Sequence, residues 1–315
     1  MTRVLTLGET LGVAVTAVGD PLRTCRTLRL STAGAESTVA IGMRRLGHEA
    51  VWVGVVGDDD IGARVIRDLT AEGVDVRFTR TTSDAATGFM LRELRTAEFT
   101  SVTYYRAGSA GAQLAPSDVE GAFVDGADLV HVTGITPALG AAPAAAVQRA
   151  VELARETGAT LSFDVNYRSR LLDPSAAALA ARTLLTQVDI LFVGDDELHL
   201  LTPEPDPSVA ARQLVAAGPS EVVVKCGVLG SLAATSSGEL CRYAAWPVAV
   251  VDVVGAGDSF TAGYLAARAD GLPVAERLRW ATICGAATVG SHGDWEGLPV
   301  RSEMDRRAPG AVTAR

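Results

Sequence analysis

From Leu129 onward, short apolar runs alternate with longer helical patterns: Leu129 to Val132, an Ala-rich helix over Ala141 to Thr157, Thr160 to Asp164, a helix over Ser175 to Gln187, Ile190 to Val193, and the strand Glu221 to Lys225. Apolar runs of four or five residues read as strands covered on both faces, and a helix between them returns the chain so that the next strand lies parallel to the last. This rhythm restricts the chain to an α/β fold: a mostly parallel sheet with helices on both faces. Ligands of such sheets sit outside the carboxyl ends of the strands. Thr133-Gly134, Asp164-Val165-Asn166-Tyr167-Arg168 and Gly194-Asp195-Asp196-Glu197 fall at those ends. Taken singly, Asp164 and Asn166 read as turn formers and Arg168 as a surface charge.

The N-terminal part follows a different pattern. Arg3 to Leu7 is a short strand ending at Gly8 and Glu9, and Leu11 to Val18 is a second β-rich piece before the turn at Gly19-Asp20-Pro21. Cys25 to Leu30 alternates polar and apolar residues, as a strand with one wet face does. Thr87 to Leu94 and Ser101 to Tyr105 read as a hairpin with Thr96, Ala97 and Glu98 at its tip. Together these pieces make a small sheet beside the main body. Between them, the small-residue turn Ser31 to Gly34 opens a helix that closes at Gly47, and Ala50 to Val56 leads through Gly57-Asp58-Asp59-Asp60-Ile61-Gly62 into a helix ending at Gly73. The acidic triplet is read as a solvated turn capping that helix rather than as a metal site.

Near the C-terminus, the apolar run from Pro247 meets a helical pattern through two glycines, in the order Asp252-Val253-Val254-Gly255-Ala256-Gly257-Asp258-Ser259-Phe260. This reads as strand, tight turn and helix start near Asp258. Glycines let successive amides converge ahead of a helix whose N-terminus carries roughly half a positive charge, which makes a site for an anion. A carboxylate beside a phosphate cradle is there to take a proton or hold a cation. The plain alternative makes Asp258 the N-cap.

Composition removes other classes. The 315 residues carry a formal net charge of -9 and are 48% hydrophobic, which disfavours a nucleic-acid partner because phosphate backbones call for a basic face. No apolar run approaches the roughly 18–20 residues of a membrane span, so no membrane partner is expected. Cys25, Cys226, Cys241 and Cys284 show no C-x-x-C spacing, and the N-terminus has no signal-like apolar core, so a reducing cytoplasm is expected. Lys225 is the only lysine; composition alone gives it no role.

The segment Asp252 to Phe260 resembles the C-terminal signature of the ribokinase-like (PfkB) sugar kinases, and further resemblances run in order from Gly34 to Asp294. The resemblance implies a single ribokinase-like domain over 1–315, a three-layer α/β/α sandwich with a β-sheet lid built from about 11–31 and 85–107. It makes Gly255, Ala256 and Gly257 the anion hole for the transferred phosphate and Asp258 the base. Gly34, Phe89, Tyr104, Arg106, Arg168 and Asp294 would contact the sugar. The nucleotide would meet Asn166 and Arg168 of Asp-x-Asn-x-Arg, Lys225, Gly227 and Gly230 of Lys-x-Gly-x-x-Gly, and Gly255, Ala256 and Gly257. Glu197 would help hold Mg²⁺ through water or phosphate, and Asp252 would lie in a region that takes a monovalent cation such as K⁺. ATP and Mg²⁺ are thus the implied cofactors, a small sugar or sugar acid the implied substrate, and a homo-oligomer, a dimer through the lid or a higher assembly, the implied state. Tyr104-Tyr105-Arg106 is similar to the Tyr-x-Arg of the 2-keto-3-deoxygluconate kinases, which favours a sugar acid phosphorylated at its terminal hydroxyl. This chain departs from the signatures at Ala33 (commonly Gly), Thr38 (Asn), Gly194 (Asn) and Val253 (Thr).

Other readings stay open: a fructokinase- or ribokinase-like enzyme for neutral sugars, a nucleoside kinase, or a kinase-fold protein that binds sugar without turnover. A dinucleotide-binding oxidoreductase fits poorly, because Phe260 stands where Gly-x-Gly-x-x-Gly needs its third glycine.

Overall fold

The computed structural model describes residues 1–96 and 100–306. Its body is an eight-stranded sheet in the order Leu240–Tyr243, Ser231–Thr235, Glu221–Lys225, Ile190–Gly194, Thr160–Asp164, Leu129–Thr133, Arg3–Leu7 and Glu49–Val53. The last six run parallel, and the first two add antiparallel at one edge.

The twofold alternation of strand side chains divides the core into two layers. Leu191 and Val193 point with Leu161 and Phe163 toward the helices Ala141–Thr157, Pro174–Leu185 and Pro207–Ala216. Ile190 and Phe192 point the other way, with Trp52 and Val223, toward Ala35–Arg45, Ala256–Ala269 and Val274–Val289. Both faces of the sheet are therefore covered, which is why these strands carry apolar residues on both faces, with the buried His131 and Ser162 bonded to each other.

A separate four-stranded sheet, ordered Arg29–Ala33, Leu11–Val15, Phe89–Leu94 and Thr100–Tyr105, has its own small core of Leu11, Val13, Val15, Ala33, Met90 and Leu94. Its edge strand Arg29–Ala33 begins later than the alternation suggested: Cys25 follows the turn at Leu22 to Thr24, and pairing starts at Arg29. The expected strand Ala50 to Val56 is interrupted at Gly54, where a Cβ would come within 2.3 Å of the Trp52 ring. Its second part, Val55–Gly57, pairs instead with Arg80–Thr82. Of the hairpin tip, Ala97 and Glu98 lie outside the described residues.

The acidic triplet acts as a cap. Asp59 caps the helix Asp60–Ala71 by accepting from the Gly62 amide, and it also accepts from the Thr87 amide. The apolar run before the glycine turn is not a strand. Val248, Val250 and Val253 are exposed, and the run is held instead by the Val251 and Asp252 amides donating to the Val289 carbonyl.

Candidate active site

The turn at Gly255 shows which glycine serves the fold and which leaves room. Gly255 has φ +81°, and a Cβ there would lie 2.2 Å from the Asp294 carbonyl oxygen. Only glycine fits both demands. It is the N-cap of the helix Ala256–Ala269, which thus starts two residues before the expected point and places Asp258 in the first turn, not at the cap. Gly257 faces open space: the only atom within 4 Å of a Cβ would be Lys225 Nζ, at 3.6 Å. The first-turn amides, which lack intrahelical acceptors, therefore front a cleft of about 720 Å³ lined by Asn166, Glu197, Lys225, Gly227, Gly257 and Asp258.

Asp258 stands where this cleft meets a smaller cavity, and it lines both. Its Oδ1 accepts from Asn166 Nδ2 at 2.8 Å. Asn166, the one non-glycine residue at positive φ among those described (41°), is held in the left-handed region that asparagine tolerates best. Burial pushes the Asp258 carboxyl up to about 7, with Asp164 and Glu36 adding to the rise and Arg168 and Lys225 opposing it. A carboxylate poised there is matched to accepting a proton near neutral pH.

Around it, the sole lysine has a place. Lys225 Nζ donates to both oxygens of Asp164 at 2.8 and 2.7 Å, and Thr261 Oγ1 donates to Asp164 Oδ2 at 3.0 Å. Burial alone would lower the Lys225 pKa, but Asp164, Glu197 and Asp258 outweigh it, so the ammonium stays charged. Glu197 uses one oxygen for the Tyr167 amide (2.6 Å) and the other for Gly194 (2.8 Å), which shapes the two strand-end loops. Burial raises its pKa. Gly230, expected beside the nucleotide, does not line the cleft: a Cβ there would meet the Tyr243 carbonyl at 2.1 Å, so this glycine closes the turn into the next strand.

The smaller cavity joins the small sheet to the main one. Gly34, Glu36, Tyr104, Arg106, Arg168 and Asp294 are among its walls. Phe89 is not. Alternation along its strand places Met90 on the cavity and leaves Phe89 against Gly12. Arg106 lies over the Tyr104 ring, 5.6 Å from its centroid. Its Nε and Nη2 already bond one oxygen of the buried Glu9, at 2.8 and 2.5 Å, while Ser109 donates to the other. The guanidinium expected to contact the sugar is thus already held by a carboxylate of the chain itself. Arg168 is exposed in the cleft and bonds the Tyr167 carbonyl at 3.2 Å. Glu36, unrecognised in the sequence, accepts from Thr133 and Thr136 hydroxyls, both at 2.6 Å, and burial raises its pKa.

Asp252 and Asp294 are bridged by another unrecognised residue. Arg92, fully buried in the small sheet, bonds Asp252 Oδ2 through Nη1 at 3.0 Å and Asp294 Oδ1 through Nη2 at 2.5 Å. Both Asp252 oxygens are thus engaged within the chain, Oδ2 by Arg92 and Oδ1 by the Val254 amide, and Val253 supplies no hydroxyl there.

Residues 1–301 match the family described as pfkB family carbohydrate kinase. The chain is 33% identical over 302 residues to a Bacillus subtilis (strain 168) protein named 2-dehydro-3-deoxygluconokinase, covering 95% of this chain and 93% of that protein. It is 32% identical to a Haloferax volcanii 2-dehydro-3-deoxygalactonokinase, with 92% of each covered. A putative ribokinase II from E. coli, solved in complex with ATP and Mg²⁺, superposes with a TM-score of 0.90 at 27% identity, over 97% of this chain and 98% of that one. With a family match over nearly its whole length and a ribokinase-like architecture, the chain belongs to the pfkB family of carbohydrate kinases.

Proposed function

We propose that this protein transfers the γ-phosphoryl group of ATP to the terminal hydroxyl of a small sugar acid, 2-keto-3-deoxygluconate or a close stereochemical relative, with Asp258 as the base. The observation that carries the reading is the position of Asp258: a carboxylate with its pKa pushed to about 7, at the junction of two cavities, in the first turn of a helix that opens on a glycine turn. A hydroxyl presented from the smaller cavity would give its proton to Asp258. The Gly255 to Asp258 amides and Lys225 would meet the negative charge that spreads over the transferred group.

The large cleft suits a nucleotide in size, and the missing Cβ at Gly257 lets phosphate approach the amides and Lys225. Among the described residues, no group of three or more metal-ligating side chains offers a preformed cage. Mg²⁺ here would be held chiefly by nucleotide phosphates, as is usual for this ion, with Glu197 reached through water. Bound so, it would neutralise charge on the phosphates. Asp258 and Asn166 hold the proton-accepting geometry within the chain.

The sugar-acid assignment rests on the names of the relatives and on Arg168. Of the two cavity-lining arginines in question, Arg168 is the one the chain does not pair with a carboxylate, whereas Glu9 neutralises Arg106. That same Glu9 contact favours a second reading, a kinase for neutral sugars, in which Glu9 and Arg106 fix the cavity wall. ADP release measured against sugar acids and neutral sugars separates them. Preference for 2-keto-3-deoxygluconate or 2-keto-3-deoxygalactonate supports the first reading. Preference for fructose or ribose replaces it, and no turnover with any of them contradicts both.

A further inference from the structure

Arg92 has no place in the proton-transfer scheme, yet it is among the largest fully buried side chains of the protein. It comes from the strand Phe89–Leu94 of the small sheet, and the two carboxylates it joins come from elsewhere: Asp252 precedes the glycine turn and Asp294 follows the helix Val274–Val289. Those two residues frame Gly255. Asp252 Oδ1 accepts from the Val254 amide at 3.1 Å, fixing the turn just ahead of the glycine, and the Asp294 backbone lies where a Gly255 Cβ would stand, 2.2 Å from its carbonyl oxygen. Burying a guanidinium is costly unless it is paired, and removing one partner from such a cluster is usually far more damaging than never having built it. Two like-charged carboxylates in one buried place also repel each other unless a cation stands between them.

We propose that the Arg92 guanidinium supplies the positive charge beneath the anion-binding turn, in place of a monovalent cation, and thereby ties the small sheet to the backbone that receives the transferred phosphate. Arg92 acts as a positioning residue; it orders Asp252, Asp294 and, through them, Gly255. Because the charge is covalently part of the chain, the enzyme has no need of K⁺. The inference rests on the kinase activity, not on which sugar is used.

The test begins with the unaltered protein. Thermal unfolding is compared in KCl, NaCl and tetramethylammonium chloride at one ionic strength, a reading that needs no substrate. ATP turnover with the best substrate is then measured in the same salts, with ADP quantified by chromatography so that no coupling enzyme adds an ion requirement of its own. The expectation is no K⁺-specific rise in Tm and rates within about twofold across the three salts. A K⁺-specific Tm shift, or activation by K⁺ of about fivefold or more, overturns the proposal. Arg92→Gln and Arg92→Lys then probe positioning: the Gln variant should lose about tenfold or more in kcat with the KM for ATP changed less than about threefold, and the Lys variant should recover part of the loss. Wild-type kcat in a folded Arg92→Gln protein also overturns it. If that variant does not fold, the ion comparison on the unaltered protein still decides. If no substrate is found, the thermal comparison decides alone, so failure of the sugar assignment is not confused with failure of this one.

Discussion

The two sides of the Asp258 junction are built by different means. On the nucleotide side, backbone does the work: Gly255 is fixed by a positive φ and a contact that excludes any Cβ, Gly257 leaves room at the helix start, and the glycine loops lie at strand ends. On the sugar side, side chains do it. Glu9 with Arg106 and Glu36 with two threonines form networks between residues far apart in sequence, and Arg92 with two aspartates links the two sides. A backbone site tolerates little change at its glycines and much around them, whereas a charge network depends on every partner being present.

The largest effect should come from the junction itself. Asp258→Asn keeps size and hydrogen bonding but removes the proton acceptor, so turnover should fall about a hundredfold or more while ATP still binds, as read by single-turnover rates and equilibrium titration. The same variant should be more stable above neutral pH. The folded pKa of about 7 lies above the ordinary 3.8, so the folded state gains stability from the bound proton at low pH and loses it as pH rises through 7. A neutral Asn escapes that loss, and Tm at pH 8 should rise by about one to two degrees, on the order of 1 kcal/mol. An unchanged or lower Tm would mean that the carboxylate is not held against its own ionisation.

Next comes a contrast within the backbone site. Gly257→Val places a side chain in open space near Lys225; it should raise the KM for ATP about tenfold or more and leave Tm within a few degrees. Gly255→Ala should do the reverse at the level of folding, losing about 1–3 kcal/mol to backbone strain before any clash with Asp294 is counted. Equal effects of the two on Tm would erase the distinction between them.

The sugar side should respond more gradually. Arg168→Lys keeps charge but loses the planar fork, and should lower kcat/KM for a sugar acid about tenfold more than for a neutral sugar. Arg106→Lys should cost about threefold or less in that ratio, because Glu9 already holds its fork. The opposite ranking would show that Glu9 yields Arg106 to the substrate.

The same contrast explains what was legible in the sequence. The parallel sheet, its covering helices and the glycine turn follow from period, length and backbone permissiveness, which are local properties. Glu9 is a single acid after a strand, Glu36 a lone acid in the helix that a small-residue turn opens, and Arg92 one polar position in a hairpin strand. Their meaning lies in partners 97, 160 and 202 positions away, and no local pattern encodes those. The exchange of Phe89 for Met90 has a simpler cause, since a strand turns alternate residues to opposite faces. The apolar run before Gly255 suggested a strand, but on the opposite side of the sheet from Glu49–Val53 the edge is already closed by Leu240–Tyr243, leaving Val248 to Val254 to reach the turn without pairing.

The most direct test of Asp258 as the base is the pH dependence of kcat/KM for the preferred sugar with ATP saturating. With Asp258 as the base, kcat/KM rises tenfold per pH unit on the acid side and bends to a plateau near pH 7, the value to which burial raises this carboxyl. A profile flat from about pH 5 to 8 would contradict it.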